Sequence, residues 1–254
     1  MSTNAQAVLL LAGEGTRLRP HTLDRPKCLV EVGGRPLLDR ALASIEAAGI
    51  PGVVLVTGYR SEMIDAFLAA RASKATVVTV KNEAYASTNN AFSLACARKA
   101  VDRPFLLLDG DLLFEPAVMT RLLASQGEAV LAVEKRKTLG AEEMKVILDE
   151  RGTIAAVNKE VDPAAAIGEA IGIARFGTTM IDKLFDRLEA QIAEGRRNIF
   201  YEKAFEELIA AGEPFNVADV SGLACMEIDT PEDLEAARSL AQRIQPLPAR
   251  LAAP

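Results

Sequence analysis

Residues 8–29 read VLLLAGEGTRLRPHTLDRPKCL. Val8 to Leu11 form a continuous apolar run, the pattern of a strand buried on both faces. Ala12, Gly13, Glu14, Gly15 and Thr16 follow at once. Glycine can take positive φ and let the backbone approach a ligand closely, so that N–H groups point at an anion. Arg17 and Arg19 add fixed positive charge, and a guanidinium suits two-pronged contact with phosphate oxygens. Pro26-Lys27 then sets a lysine on a stiff dipeptide. Strand, glycine loop, arginine and lysine are together what a triphosphate requires. The loop is neither a P-loop, since no Gly-Lys-Ser/Thr follows, nor GxGxxG, since Leu18 stands at the third glycine position. On these residues alone, an ordinary strand-to-helix turn with a solvated lysine is the competing reading.

The whole chain narrows the classes. Its 254 residues, half of them hydrophobic, suffice for one large α/β domain with a proper core. A formal charge of −6 argues against a general nucleic-acid or lipid-surface binder, which would carry a basic face. No apolar stretch reaches membrane-spanning length, and the N-terminal segment lacks the basic and long apolar regions of a signal peptide. Cys28, Cys96 and Cys225 are odd in number and lack metal spacing, so reduced thiols in a cytoplasmic protein are expected. His21 is the single histidine and falls in a loop. That weighs against Ser-His or Cys-His hydrolysis and against zinc sites built on histidine.

Outward from the opening stretch, strand and helix alternate. Helices are expected at 36–48 and 61–71 and strands at 53–58 and 76–80, with the short connections of a parallel sheet. Asn82 to Asn90 is a polar loop before a helix at 91–99. Ser87, Thr88 and Asn89 there offer donors and acceptors for a nucleobase edge, at the carboxyl end of a strand where open α/β sheets bind ligands. Helix capping by Ser87 or Asn89 is the simpler alternative. A single strand is expected over 105–114, running through Asp109-Gly110-Asp111. Acids at a strand end are costly unless solvent or a cation meets them, and two around one glycine suit Mg²⁺, which takes a few carboxylates plus phosphate oxygens. The pattern then turns β-rich over 129–176, with a hairpin turn at Glu150-Arg151-Gly152. Helices follow at 179–195 and 201–211, then short strands. Thr230-Pro231-Glu232-Asp233 starts a last helix. Residues 1–243 read as one domain, and the Pro/Ala-rich 244–254 as a flexible tail.

The order AGEGTRL, RPKCL, GGRPLL resembles the signature of the nucleotidyltransferases that make nucleotide-sugars and related activated head groups. The matching residues are Gly13 to Leu18, Pro26 to Leu29 and Gly34 to Leu38. The resemblance implies a single Rossmann-like, doubly wound mixed sheet with a small β-rich insertion that forms the acceptor side of the cleft. It also implies a nucleoside triphosphate, Mg²⁺ as cofactor and transfer of a nucleotidyl group to a phosphate. The tyrosine-led run at 85–94, the Glu-Met-Lys-Val run at 143–146, Gly168 to Ile173 and Glu227-Ile228-Asp229 are similar to the small bacterial cytidylyltransferases acting on phosphocholine or 2-aminoethylphosphonate.

The roles implied by that resemblance are as follows. Leu11 to Arg17, Lys27, Ser87, Thr88, Asn89 and Asp109 would bind nucleotide, with Lys27 and Arg17 assisting transfer. Asp111 and Asp229 would hold the metal. Lys145 and Lys159 would take the acceptor's phosphate end, although Lys159 sits in Asn-Lys-Glu where relatives carry Glu-Lys-Pro. Glu169, Glu227 and Tyr201 would take its cationic end. The expected reaction moves CMP from CTP to phosphocholine or 2-aminoethylphosphonate with release of pyrophosphate. A sugar-1-phosphate uridylyl- or guanylyltransferase, or a non-catalytic nucleotide-binding regulator, could use the same loop. Neither nucleic acid nor membrane is expected as a partner, and a homo-oligomer stays open.

Overall fold

The structure is a computed structural model, and it describes residues 4–136 and 138–244. The opening apolar run forms β1 (Gln6–Leu11). One-turn 3₁₀ helices at Thr16–Leu18 and Lys27–Leu29 follow, then a two-residue hairpin of β2 (Glu31–Val32) and β3 (Arg35–Pro36). The alternation continues through α1 (Leu37–Ala47), β4 (Gly52–Thr57), α2 (Ser61–Ala70), β5 (Thr76–Lys81), α3 (Asn90–Cys96) and β6 (Phe105–Asp109). Next come β7 (Leu112–Phe114), α4 (Ala117–Ala124), β8 (Ala129–Glu134), β9 (Lys145–Leu148), β10 (Ile154–Asn158) and β11 (Gly168–Phe176). The chain closes with α5 (Thr178–Ala193), α6 (Glu202–Ala210), β12 (Phe215–Asp219), β13 (Cys225–Glu227) and α7 (Pro231–Ala241).

β5, β4, β1 and β6 lie side by side and parallel. β11 then runs antiparallel beside β6, β8 antiparallel beside β11, and β12 parallel to β8. The mixed α/β sheet expected from the sequence is what forms. β1 shows why it is covered on both sides. Val8 and Leu10 pack into one apolar cluster, whereas Ala7, Leu9 and Leu11 pack into another. Side chains alternate across a strand, so a continuous apolar run must be buried on two faces. Phe105, Phe176, Phe205 and Phe215 interlock under β11 with ring centroids 5.2–6.3 Å apart, which fixes the antiparallel strand against α6.

One expectation needs correction. Residues 105–114 are two strands, because the chain turns at Gly110-Asp111 and β7 leaves to pair with β13 in a separate small sheet. Gly110 is wedged against β1, where a Cβ would stand 2.5 Å from the Leu10 carbonyl oxygen and 2.4 Å from Leu11 Cδ2. Only glycine fits there, and the strand breaks beside it. Ile244 is buried with Leu18, Val30, Leu113, Ile228 and Leu234 in a third apolar cluster, so the packed domain extends at least to that residue. The rest of the expected tail lies outside the described residues.

Candidate functional site

A cleft of about 720 Å³ opens at the carboxyl ends of β1 and β6. One wall is the loop after β1. Leu11, Ala12, Gly13, Gly15, Thr16 and Arg17 all line it, whereas Glu14 turns aside to pair with Arg19. Gly15 adopts φ +61°, and a Cβ there would come 3.1 Å from Lys27 Cβ. That position therefore needs glycine for its backbone angle and to leave Lys27 its room. Thr22 closes the loop by donating its hydroxyl to the Gly15 carbonyl at 2.8 Å. Beyond it, the Leu23 carbonyl accepts from the Tyr59 hydroxyl at 3.1 Å and from Arg60 Nη2 at 3.0 Å.

Lys27 stands at the centre. Its Nζ donates to Asp111 Oδ2 at 2.8 Å and to Asp229 Oδ1 at 2.6 Å, while Arg17 Nη2 donates to Asp229 Oδ2 at 2.7 Å. Asp111 is delivered by the Gly110 turn and Asp229 by the approach to α7. Thr230 and Asp233 form a reciprocal cap at that helix start, which leaves the Asp229 carboxylate available to the cleft. Burial alone would pull the Lys27 ammonium towards neutrality, but the charges of Asp111 and Asp229 outweigh it and hold its pKa above the ordinary lysine value. The sequence readings of Lys27, Asp111 and Asp229 thus meet at one point, although up to 202 residues separate them.

The opposite wall comes from β8, β11 and the loops around the β9–β10 hairpin. Glu134, Arg136, Glu142, Lys159 and Glu169 line it. Arg136 pairs with Glu169, and Lys159 donates to Glu142 at 3.0 Å with its ammonium over the Phe200 ring. Two sequence assignments to this wall need correction. Lys145 is 1% exposed and donates both to the Gly140 and to the Glu143 carbonyl at 3.1 Å, so its ammonium is spent on the backbone behind the wall. Tyr201 is also buried, and its hydroxyl donates to Asp109 Oδ2 at 2.8 Å. It supports the cleft from behind and does not line it.

In the polar loop after β5, Thr88 and Asn89 line the cleft but Ser87 does not. Asn89 caps α3 by accepting from the Asn90 N–H, as the simpler alternative had it. The loop is shaped by Asn82, whose buried amide donates to Thr88 Oγ1 and Ser93 Oγ. Asn90 and Ser93 also reach the cleft.

Acids crowd the deep side. Asp109, Glu202 and Glu227 all line it. Asp109 is pushed well above the usual carboxylate range by burial and by the charges of Asp111, Glu202 and Glu227. Glu202 is raised to about 7 by burial and the nearby Glu227 charge. Glu227 has surface open to the cleft, yet enclosure by the walls and the charges of Asp111 and Asp229 raise it to about 7 as well. Sequence reasoning missed Glu202, because an acid in the first turn of a helix is ordinary there. Arg136 and Glu142 carried no signal beyond being charged residues near strand ends.

Known proteins resemble the chain in sequence and in fold. CMP-5'-(3-aminopropyl)phosphonate synthase of Streptomyces rubellomurinus is 31% identical over 236 residues, which cover 90% of this chain and 37% of that protein. Choline-phosphate cytidylyltransferase of Streptococcus pneumoniae is 33% identical over 110 residues, 43% of this chain and 46% of that one. The matched segments thus span less than half the length of either relative. The structure of the inositol-1-phosphate CTP transferase from T. maritima superposes with a TM-score of 0.81 over 96% of this chain and 98% of that one, at 23% identity, a likeness of fold. Residues 7–254 match one family description along almost the whole chain, and on that match the chain belongs to the MobA-like NTP transferase domain family.

Proposed function

We propose that the protein is a cytidylyltransferase, moving CMP from CTP to a small phosphorylated or phosphonylated amino alcohol and releasing pyrophosphate. Phosphocholine and 2-aminoethylphosphonate represent the acceptor class. The observation that carries the reading is the meeting of Lys27 with Asp111 and Asp229 beside the Gly13–Arg17 loop. Relatives named as CMP-phosphonate synthase and choline-phosphate cytidylyltransferase support the choice of nucleotide.

An ionised phosphate or phosphonate oxygen is already a nucleophile, so attack on the α-phosphorus of CTP needs no general base. What the protein must supply is position and charge. In this reading, backbone N–H groups of Gly13 to Thr16 and the Arg17 guanidinium hold the β- and γ-phosphates. Lys27, kept charged by its two acids, faces the α-phosphate, where negative charge grows in the transition state. Thr88 and Asn89 lie along the cleft where the base would rest. Lys159, Glu169 and Glu227 lie on the acceptor side.

Asp111 and Asp229 fit a magnesium ion. Their oxygens both lie within a hydrogen bond of the same Lys27 nitrogen, close enough together to share one cation, and a hard dication takes carboxylate and phosphate oxygens. When bound there, the ion would neutralise phosphate charge. The test is pyrophosphate release from each of the four nucleoside triphosphates, crossed with phosphocholine, 2-aminoethylphosphonate and hexose-1-phosphates. Release with CTP and an amino-alcohol acceptor is expected. Activity confined to UTP or GTP with a hexose-1-phosphate would overturn the reading, and silence with every pair would favour a non-catalytic nucleotide-binding protein.

A further inference from the structure

Several acids around the cleft already have a basic partner. Asp111 and Asp229 share Lys27, Glu169 has Arg136, and Glu142 has Lys159. Asp109 accepts the Tyr201 hydroxyl. Glu202 differs. It is 9% exposed, it lines the cleft, and its Oε2 is buried with no hydrogen-bond partner. A buried acceptor left unmatched is costly, and an enclosed carboxylate more so. Lys159 is a nearby cation, but its ammonium is held by Glu142 and lies 5.2 Å from the centre of the Phe200 ring. The pocket beside Glu202 thus has an acidic wall and an unmatched acceptor, and the Tyr201 hydroxyl and the engaged Lys159 ammonium are the side-chain groups that favour its ionised form.

We infer that Glu202 receives the cationic end of the acceptor, and that this end carries N–H. The inference rests on the proposed transfer to a phosphorylated amino alcohol and narrows its acceptor to primary amines. An unmatched carboxylate oxygen is satisfied by an N–H donor in a charge-assisted bond. A quaternary ammonium has no such donor and is held instead by aromatic faces. Among the described residues only Phe200 and Tyr85 bring aromatic rings to the cleft, and Phe200 already carries the Lys159 ammonium. Glu202 is reached from the first turn of α6, which the Tyr201–Asp109 bond ties to the end of β6. The start of α6 is therefore fixed before the ligand arrives.

The test compares 2-aminoethylphosphonate with ethylphosphonate, which lacks only the amine, and with phosphocholine. Acceptor binding is measured by calorimetry in the presence of CMP, and turnover by pyrophosphate release, for the full chain and for Glu202→Gln. The wild type should bind 2-aminoethylphosphonate in preference to the other two. In Glu202→Gln, affinity for 2-aminoethylphosphonate should fall about ten- to a hundredfold, with that for ethylphosphonate and KM for CTP unchanged. Thermal unfolding checks that the variant is folded; if it is not, Glu202→Asp, which keeps the charge and shortens its reach, is measured in its place, with the same selective loss expected. Equal affinity of the wild type for both phosphonates, equal weakening of both in the variant, or preference for phosphocholine would overturn the assignment to Glu202. If 2-aminoethylphosphonate binds in the expected pattern and no nucleotide is transferred, the cytidylyltransferase reading falls and the amine site stands.

Discussion

Lys27 Nζ lies 2.6 Å from Asp229 Oδ1, so a residue from the loop after β1 and one from the approach to the last helix form a single charged centre. If that ammonium faces charge that grows during transfer, Lys27→Ala should lower kcat by about 10²-fold or more. The measurement is steady-state pyrophosphate release by a variant shown to be folded. Turnover within a few-fold of wild type would remove Lys27 from the mechanism.

The two acids should act as one unit. Asp111→Asn and Asp229→Asn should each raise the Mg²⁺ concentration needed for half-maximal activity, since an amide is a poor ligand for a hard cation. Combined, they should cost less than the product of the single effects, because they serve the same ion. Chelation of divalent ions should silence the wild type. Activity indifferent to a chelator, or strictly multiplicative losses, would argue against a shared site.

Gly172 tests the backbone under the acid cluster. It sits in a bulge of β11 at φ +67°, and a Cβ there would stand 2.6 Å from Asp109 Oδ2. Gly172→Ala should therefore destabilise by about 1–3 kcal/mol, through the strained angle and the displaced carboxylate together. Urea denaturation checks it. A change within about 0.5 kcal/mol would mean that the bulge relaxes freely.

The raised pKa of Glu202 makes stability depend on pH. The folded protein keeps its proton up to about 7, whereas the unfolded chain loses it near the ordinary glutamate value of 4.5. Between those limits the unfolded chain binds fewer protons, so this group's contribution to stability is fully present at lower pH and is lost as pH climbs towards 7. Glu202→Gln should remove that slope, and its Tm relative to wild type should rise across the interval. A constant Tm difference between pH 4.5 and 7 would show that Glu202 does not titrate abnormally.

Much of this was legible in the sequence, for local reasons. The β1 run, the Gly15 turn and the Thr230 cap are each set by a few adjacent residues, and the order of motifs implied the rest of that wall of the cleft. Asp111 and Asp229 could be paired in advance because the resemblance implied one metal site for both. Lys145 and Tyr201 went wrong for a shared reason. A lysine on a hairpin and a tyrosine before a helix look available, and only the packed structure shows that two carbonyls and Asp109 have claimed them. Glu202 was invisible because its unmatched oxygen is a property of what surrounds it.

β11 has a mechanical consequence. Its residues 173–176 pair with β6, which ends in Asp109 on one side of the cleft, and its residues 168–169 pair with β9 of the hairpin on the other. A single strand is thus a common beam for both walls, with the Gly172 bulge between the two attachments. Widening or narrowing the cleft by moving the hairpin must flex that beam, and the bulge, where regular pairing is interrupted, is its compliant point. Asp109 lies directly against that point, so the deepest acid of the cleft would feel any movement of the outer wall.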